Sequence, residues 1–325
     1  MDDVAARAGV SRALVSIVFR GVPGASPAMR ARVMKAADEL HYRPDLRARL
    51  LSSTRSRTLG VVFGLHRDFH GDLVESLYRA VDDKGYELAL GATAPSRDER
   101  RAIRSLLEFR CEAVVLLGPT LSTSEIEALA ERVPVVVLAR PLRTHSVDVV
   151  RTDDKAGGRM AVEHLNDLGH QSIAHVDGLR APGAAERRRG YREAMADLGL
   201  ARRTRLVPGG MGEESGERAA RALLRRGTPT AVTVFNDACA SGLVAAVRSA
   251  GVDVPDGLSV VGYDNSSVSR LPGVALTTVA QDAPALAAAV LDLAVARAEE
   301  PDRPAAEVVV PPHVVVRRTT AARAT

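Results

Sequence analysis

The sequence predicts an all-α helix-turn-helix headpiece at the N-terminus joined to a much larger α/β core. Three observations carry that prediction. Short apolar stripes of helical period over residues 1–44 are broken by Gly and Ser-Pro signals. From Leu59 onward, near-continuous apolar runs alternate with helical stretches, the pattern of a doubly wound sheet. The charge is lopsided: residues 1–58 hold eleven Lys+Arg against five Asp+Glu, about +6, while the whole chain is +4, which leaves about −2 for the remainder. At 325 residues the chain exceeds one compact core and suits two or three domains.

The headpiece reads as follows. Val4, Ala5 and Ala8 share one helical face that stops at Gly9, a residue able to take the positive φ of a tight helix-to-helix turn. Ser11 offers its hydroxyl to the open N–H groups of a second helix, which turns Val15 and Val18 inward. Ser26-Pro27 opens a third helix with Val33, Ala36, Ala37 and Leu40 as its buried stripe, and Pro44 ends it. Residues 45–51 spell one short helix, too short to hold alone in water. A polar connector, Ser52 to Thr58, marks the domain boundary.

The string Asp3-Val4-Ala5, Ala8-Gly9-Val10-Ser11, Val15-Ser16, Gly21, Ser26-Pro27, Arg30, Val33, Ala36-Ala37, Leu40 and Tyr42-Arg43-Pro44 resembles the headpiece of LacI/GalR-type bacterial transcription regulators. The resemblance implies a recognition helix whose Arg12, Ala13 and Ser16 reach base edges in the major groove, with Ser11 at its start. Ser26 and Arg30 would meet phosphates. It also implies a hinge helix pressed into the minor groove, with Arg47 and Arg49 on phosphates, Ala48 at the close approach and Leu51 as the wedge. Several positions depart from the family pattern. The usual Thr cap of the first helix is missing, so either Asp2 caps or the natural start lies upstream. Leu14 and Ile17 replace a Thr and an Arg; they either touch thymine methyls or enlarge the headpiece core. Arg20 replaces an Asn and would restore a phosphate contact.

In the core, strands are expected at 59–64, 86–90, 113–117 and 135–138, with helices between. The pattern then restarts with strands at 172–176, 231–235 and 258–263 and helices from 157, 186, 212 and 240. A weak echo links Gly85-Tyr86 with Gly190-Tyr191. By the resemblance, these halves are the two lobes of a periplasmic-binding-protein-like core. The implied organisation is a headpiece over 1–44, hinge helix and linker over 45–58, and a core over 59–325. Within the core, the first lobe takes about 59–150 and 281–305, the second about 151–280 and 306–320. A helix from Ala283 to Glu300 returns to the first lobe, and the last few residues are frayed.

Ligands of such folds sit between lobes at the carboxyl ends of strands. The positions matching the family's effector site are Phe69, Arg187, Asn236, Asp264 and Gln281. Asp153 is a contact or a helix cap. Ala139 stands where an Asp is common, and Met211 where relatives carry an aromatic platform. His66 and His70, in a loop that replaces a common Asn-Pro-Phe-Phe, are either solvated or recognise a polar or anionic ligand. The implied partners are an operator duplex, a sugar or other small polar metabolite, and a second copy of the chain. No cofactor, metal or catalytic residue is expected. The sequence has no Gly-x-Gly-x-x-Gly after the first strand, no P-loop and no Gly-x-Ser-x-Gly. Cys111 and Cys239 lie far apart among apolar residues and read as buried thiols. No apolar run is long enough to span a membrane and no signal-peptide core is visible, which places the chain in the cytoplasm. A transport component sharing the two-lobed core would need such a signal and would not need residues 1–51.

Overall fold

The computed structural model describes residues 1–20, 23–42, 55–142, 144, 146–225 and 227–323, with the backbone alone at 20. The chain forms two compact units, Met1–Ser56 and Arg57–Thr325.

The smaller unit holds α1 (Asp2–Ala8), α2 (Arg12–Arg20) and α3 (Pro27–Glu39). Gly9 closes α1 at φ 59°, and its carbonyl accepts from Arg32 Nη2 at 2.9 Å, which ties the turn to α3. Ser11 accepts the Leu14 N–H at 3.2 Å and Ser26 the Met29 N–H at 3.3 Å, so both helices start on hydroxyl caps. Val4, Ala5, Ala8, Val15, Val18, Val33, Ala36 and Ala37 form the core. Leu14 and Ile17 stay outside it, half-buried; the Ile17 methyls lie against Gly24 instead.

Three details of the headpiece depart from the sequence reading. Asp2 is the first residue of α1 rather than its cap, and no side chain caps that helix. Leu40 is 42% exposed rather than part of the buried stripe. The third helix ends at Glu39, well before Pro44. His41 takes φ 49° there, and the His41 and Tyr42 N–H groups return to Asp38 and Ala37 at 3.1 and 2.8 Å. That paired closure satisfies the last carbonyls without glycine or proline, and it turns Leu40 out to solvent. The hinge positions Arg47, Ala48, Arg49 and Leu51 lie outside the described residues, as does the Arg20 side chain.

The larger unit holds two six-stranded sheets. The first contains β1 (Thr58–Gly64), β2 (Glu87–Thr93), β3 (Ala113–Leu117), β4 (Val135–Leu138), β5 (Asp148–Thr152) and β11 (Glu307–Val310), in spatial order 11-5-4-3-1-2. The second contains β6 (Ile173–Asp177), β7 (Arg205–Pro208), β8 (Ala231–Val234), β9 (Ser259–Asp264), β10 (Thr277–Ala280) and β12 (His313–Val315), in order 12-10-9-8-6-7. The two sheets share one strand order and differ in the direction of the last edge strand. β3, β4 and β6 are buried at every position, as parallel strands covered on both faces require. Only β12 runs antiparallel to its neighbour. The repeat is topological, however. Gly85-Tyr86 lies at a turn into β2 and Gly190-Tyr191 inside a helix, so that sequence echo marks no equivalent place.

Helices of the first lobe are α4 (Asp68–Val81), α5 (Glu99–Glu108), α6 (Thr123–Ala130) and α12 (Ala283–Glu299); the second lobe has α7 (Asp154–Asp167), α8 (Ala184–Asp197), α9 (Glu213–Arg225), α10 (Asp237–Ser249) and α11 (Ser267–Arg270). The chain passes between lobes three times: after β5, after β10, and at Pro311-Pro312 between β11 and β12. Residues 307–310 therefore belong to the first sheet, not to the second lobe as the expected division had it. Their position is set by Asp148, whose buried carboxylate takes Arg297 of α12 in a two-pronged pair at 2.9 and 3.0 Å and the Ala306 N–H at 2.8 Å.

In the second lobe, two helix pairs cross on glycine. A Cβ on Gly158 of α7 would stand 2.3 Å from the Arg187 carbonyl oxygen, and one on Gly190 of α8 would stand 2.0 Å from that of Lys155. Gly216 of α9 and Gly242 of α10 would meet the carbonyl oxygens of Cys239 and Glu213 at 1.9 and 2.1 Å. The end of the chain is not frayed through Arg323. Thr319 is fully buried, its hydroxyl donates to the Val260 carbonyl at 2.7 Å, and the Arg323 N–H reaches the Leu168 carbonyl at 2.8 Å.

Candidate functional site

The strands of both lobes end in a common cleft. One cavity is walled by both lobes, and a second extends from it along the ends of β1, β2 and β3. They share His66, Arg67, Gly118 and Met211.

Arg187 is the centre of the second-lobe wall. Gly190 lets α8 approach α7 closely, and this brings the buried guanidinium against Asp154 at the start of α7. Its Nε donates to Asp154 Oδ1 at 2.8 Å and its Nη1 to the Phe235 carbonyl at 2.7 Å, with Asp264 Oδ1 at 3.5 Å. The guanidinium carbon stands 3.5 Å from the centre of the Tyr263 ring and 4.7 Å from that of Phe235. Tyr263 reaches this place because Gly157 lacks a side chain: a Cβ there would meet the tyrosine oxygen at 2.3 Å. Burial opposes the charge of Arg187, but Asp154, Tyr263 and Asp264 outweigh it and hold the guanidinium above its ordinary pKa.

Asp264 ends β9 at φ 109°, a backbone region that resists most side chains. Gln281 Nε2 donates to it at 2.7 Å, while Gln281 Oε1 accepts from the Thr152 hydroxyl at 2.7 Å. This chain of bonds joins the ends of β5, β9 and β10 across the lobe crossings. Asp237 lies behind it, accepting from the Thr278 hydroxyl at 2.6 Å and the Ser266 N–H at 2.8 Å. Burial pushes both Asp237 and Asp264 up from the usual carboxylate range.

Of the six expected effector residues, Phe69, Arg187, Asn236, Asp264 and Gln281 line the shared cavity. Asp153 does not: its carboxylate caps α7 by accepting the Ala156 N–H at 2.9 Å, and Asp154 is the acid that faces Arg187. Asn236 has both ends of its amide engaged, one capping α10 and the other on the Met211 carbonyl at 2.9 Å. The sequence reading missed Asp154, Tyr263 and Arg67. Adjacent acids before a helix conceal which one turns inward, and Tyr263 reads as ordinary strand core. His70 is buried in the first turn of α4 rather than solvated in a loop, with its Nδ1 accepting the Gly64 N–H at 3.0 Å. Burial and Arg67 lower its pKa to about 3, so the ring is neutral. His66 is exposed at the cleft rim. Met211 and Ala139 both line the cavity; the aromatic surface near Arg187 comes from Phe235 and Tyr263.

In the headpiece, Ser11, Arg12 and Ala13 are exposed at the start of α2 and Ser16 is half-buried one turn on. Arg12 lies 3.6 Å from Asp2, an exposed pair of little energetic weight. Ser26 caps α3, and Arg30 is half-buried in its first turn. No helix among the described residues is long and apolar enough to cross a membrane, and no metal-ligating cluster occurs among them. Both cysteines are buried free thiols.

Comparison with known proteins converges on one family. Residues 1–45 match the model of bacterial regulatory proteins of the lacI family, and residues 162–320 match a periplasmic binding protein-like domain. The transcriptional regulator AscG of Escherichia coli (strain K12) is 36% identical over 288 residues, covering 86% of each chain. Among solved structures, a LacI transcriptional regulator from a Rhodococcus species is 46% identical with a TM-score of 0.80, covering 82% of this chain and all of that one. A lac repressor dimer, bound to operator and the anti-inducer ONPF, is 28% identical with a TM-score of 0.82 and covers 98% of both chains. The chain therefore belongs to the lacI family of bacterial regulatory proteins and is a DNA-binding transcription regulator with a periplasmic-binding-protein-like effector domain.

Proposed function

We propose that this protein is a dimeric repressor that binds a roughly palindromic operator and is controlled by a small molecule held between the lobes. The observation that carries the reading is the pairing of a helix start that exposes Ser11, Arg12 and Ala13 with a cleft built around a buried Arg187–Asp264 pair. In each headpiece Arg12, Ala13 and Ser16 read one half-site, Ser11, Arg20, Ser26 and Arg30 set its register, and Arg12 bonds guanine O6 and N7. Half-buried Leu14 and Ile17 are left to meet thymine methyls, so the operator differs from those read by relatives with Thr and Arg at these places. The family resemblance assigns the paired hinge to residues 45–51, outside the described residues, with Leu51 as the wedge between base steps, Ala48 at the close approach and Arg47 and Arg49 on phosphates.

A ligand among Phe69, Arg187 and Asp264 favours one lobe arrangement and so changes the spacing of the hinges. A hundredfold change in operator affinity needs about 2.7 kcal/mol of such coupling. That the lac repressor structure is a dimer on operator supports the assembly; the cytoplasm is where such a regulator works. The test is a gel shift at stated salt with a random duplex library, then with the selected site. Leu51→Ala is expected to weaken the selected site far more than bulk duplex. Equal losses on both would remove the wedge, and no selected site at all would remove the function.

A further inference from the structure

The two walls of the cleft carry different chemistry, and the first-lobe wall is the one left open. On the second-lobe wall Arg187 already faces Asp154 and Asp264, and the amides of Asn236 and Gln281 are bonded at both ends. On the first-lobe wall Arg67 precedes α4 and lies where the two cavities meet. It is half-buried, donates to the Gly118 carbonyl at 3.1 Å, and forms no ion pair among the described residues. Glu99, whose field reaches it, is held by the Thr120 N–H and hydroxyl at 2.9 and 2.8 Å. Asp68, the first residue of α4, also lines the first cavity; it is exposed and pairs with no cation among the described residues.

His70 stands beside Arg67. Because its Nδ1 accepts from Gly64, the proton of the neutral ring is on Nε2, which no described group takes up. Gly118 separates the two side chains at φ 50°. A Cβ there would come within 3.1 Å of Arg67 Nη1 and 3.6 Å of His70 Nε2. The missing side chain leaves a small cradle between two side-chain hydrogen-bond donors, Arg67 Nη1 and His70 Nε2. A sugar hydroxyl both donates and accepts; a carboxylate or phosphate only accepts.

Building on the cleft as an effector site, we infer that the effector is a hydroxylated anion whose carboxylate or phosphate is held by Arg67 and His70 Nε2–H on the first-lobe wall. Its hydroxyls then face Asp264 across the cleft. A half-buried guanidinium without an ion-pair partner is poorly solvated, and an anion in the cradle restores what burial removed.

The test uses the full-length chain in thermal-shift titrations with gluconate, a hexose phosphate and glucose at millimolar concentration. One of the two acids is expected to raise the melting temperature while glucose does not, and which acid acts decides between carboxylate and phosphate. Arg67→Gln is expected to weaken that response at least about tenfold, the loss of one charge-assisted contact. Arg67→Lys keeps the charge and should retain part of it. The melting temperature without ligand reports whether each variant folds; if Arg67→Gln does not fold, the comparison of Arg67→Lys with the parent carries the test. A shift by glucose that survives Arg67→Gln overturns the inference, and so does the absence of a shift with either acid. The same ligands added to the operator gel shift keep the two failures apart: release of operator by glucose alone retains the cleft as effector site and discards only its preference for anions.

Discussion

The two lobes of the core share a strand order but not a way of packing helices. In the first lobe, α4 and α12 meet the sheet through branched side chains such as Leu73, Leu77, Leu286 and Val290. Such contacts accommodate small slides, since side chains can repack. In the second lobe, the pairs α7–α8 and α9–α10 meet backbone to backbone at glycines and have one register available. Each lobe also buries an arginine–aspartate pair, to different ends. Arg297 and Asp148 are enclosed and fix the returning chain, whereas Arg187 with Asp154 and Asp264 opens on the cleft. The second lobe thus presents a fixed polar wall, and chemical variation is left to the loop and helix start at 65–70 opposite.

The sharpest way to break this contrast is to remove each arginine. Arg187→Ala leaves two buried carboxyls without their cation and should cost about 3–5 kcal/mol in urea unfolding. Arg297→Ala, which strands Asp148, should cost a similar amount. Only the first should abolish the ligand response of operator binding, and loss of response in both would mean the pairs are not separate in function. A smaller effect tests the glycine crossings. Gly158→Ala should destabilise by about 1–3 kcal/mol, because the carbonyl it meets belongs to backbone. Gly71→Ala, in α4 with nothing within 4 Å, should instead stabilise by about 0.5–1 kcal/mol through helix propensity.

The smallest effect is a pH slope. Burial raises Asp264 from 3.8 to about 8, and Asp237 to about 6. The folded chain therefore holds protons that the unfolded chain has released, and stability falls as pH climbs toward 8. His70 and His175, lowered from 6.5 to about 3, work the other way, adding stability as pH rises through that lower range. Above about pH 7 the histidines are mostly neutral in both states and the Asp264 slope dominates, until the buried thiols of Cys111 and Cys239, raised to about 11 and about 12, add to it at higher pH. Melting temperature measured between about pH 7 and pH 8 should decline in the parent and flatten in Asp264→Asn. An unchanged decline would mean that another group carries it.

Much of the headpiece was legible because its signals are local. Gly9, Ser11 and Ser26-Pro27 each act on backbone groups within a turn of themselves, and the structure uses each as read. Pro44 and Leu40 misled because His41, a residue with a side chain, adopts the left-handed conformation that ends α3 early. The alternation of strand and helix gave the doubly wound core, but β5, β7, β10 and β11 escaped. Asp148 looks polar for a strand until Arg297, far along the chain, is placed beside it. The cleft was half legible: Arg187 and Asp264 follow the family pattern, while Asp154 differs from Asp153 only in where α7 points it. Arg67 carries no local signal, since what sets it apart is the lack of an ion-pair partner among the described residues, which only three dimensions reveal.

The stitching of residues 307–323 into both sheets bears on how the protein is made. The headpiece precedes both lobes along the chain, and the apolar core of its three helices is drawn from residues 1–42. Neither lobe gains its outermost strand until 307–315 leave the ribosome, and Thr319 and Arg323, which pin β9 and α7, emerge later still. A nascent chain therefore holds every residue of the headpiece core for most of its translation, long before the larger unit has all of its strands.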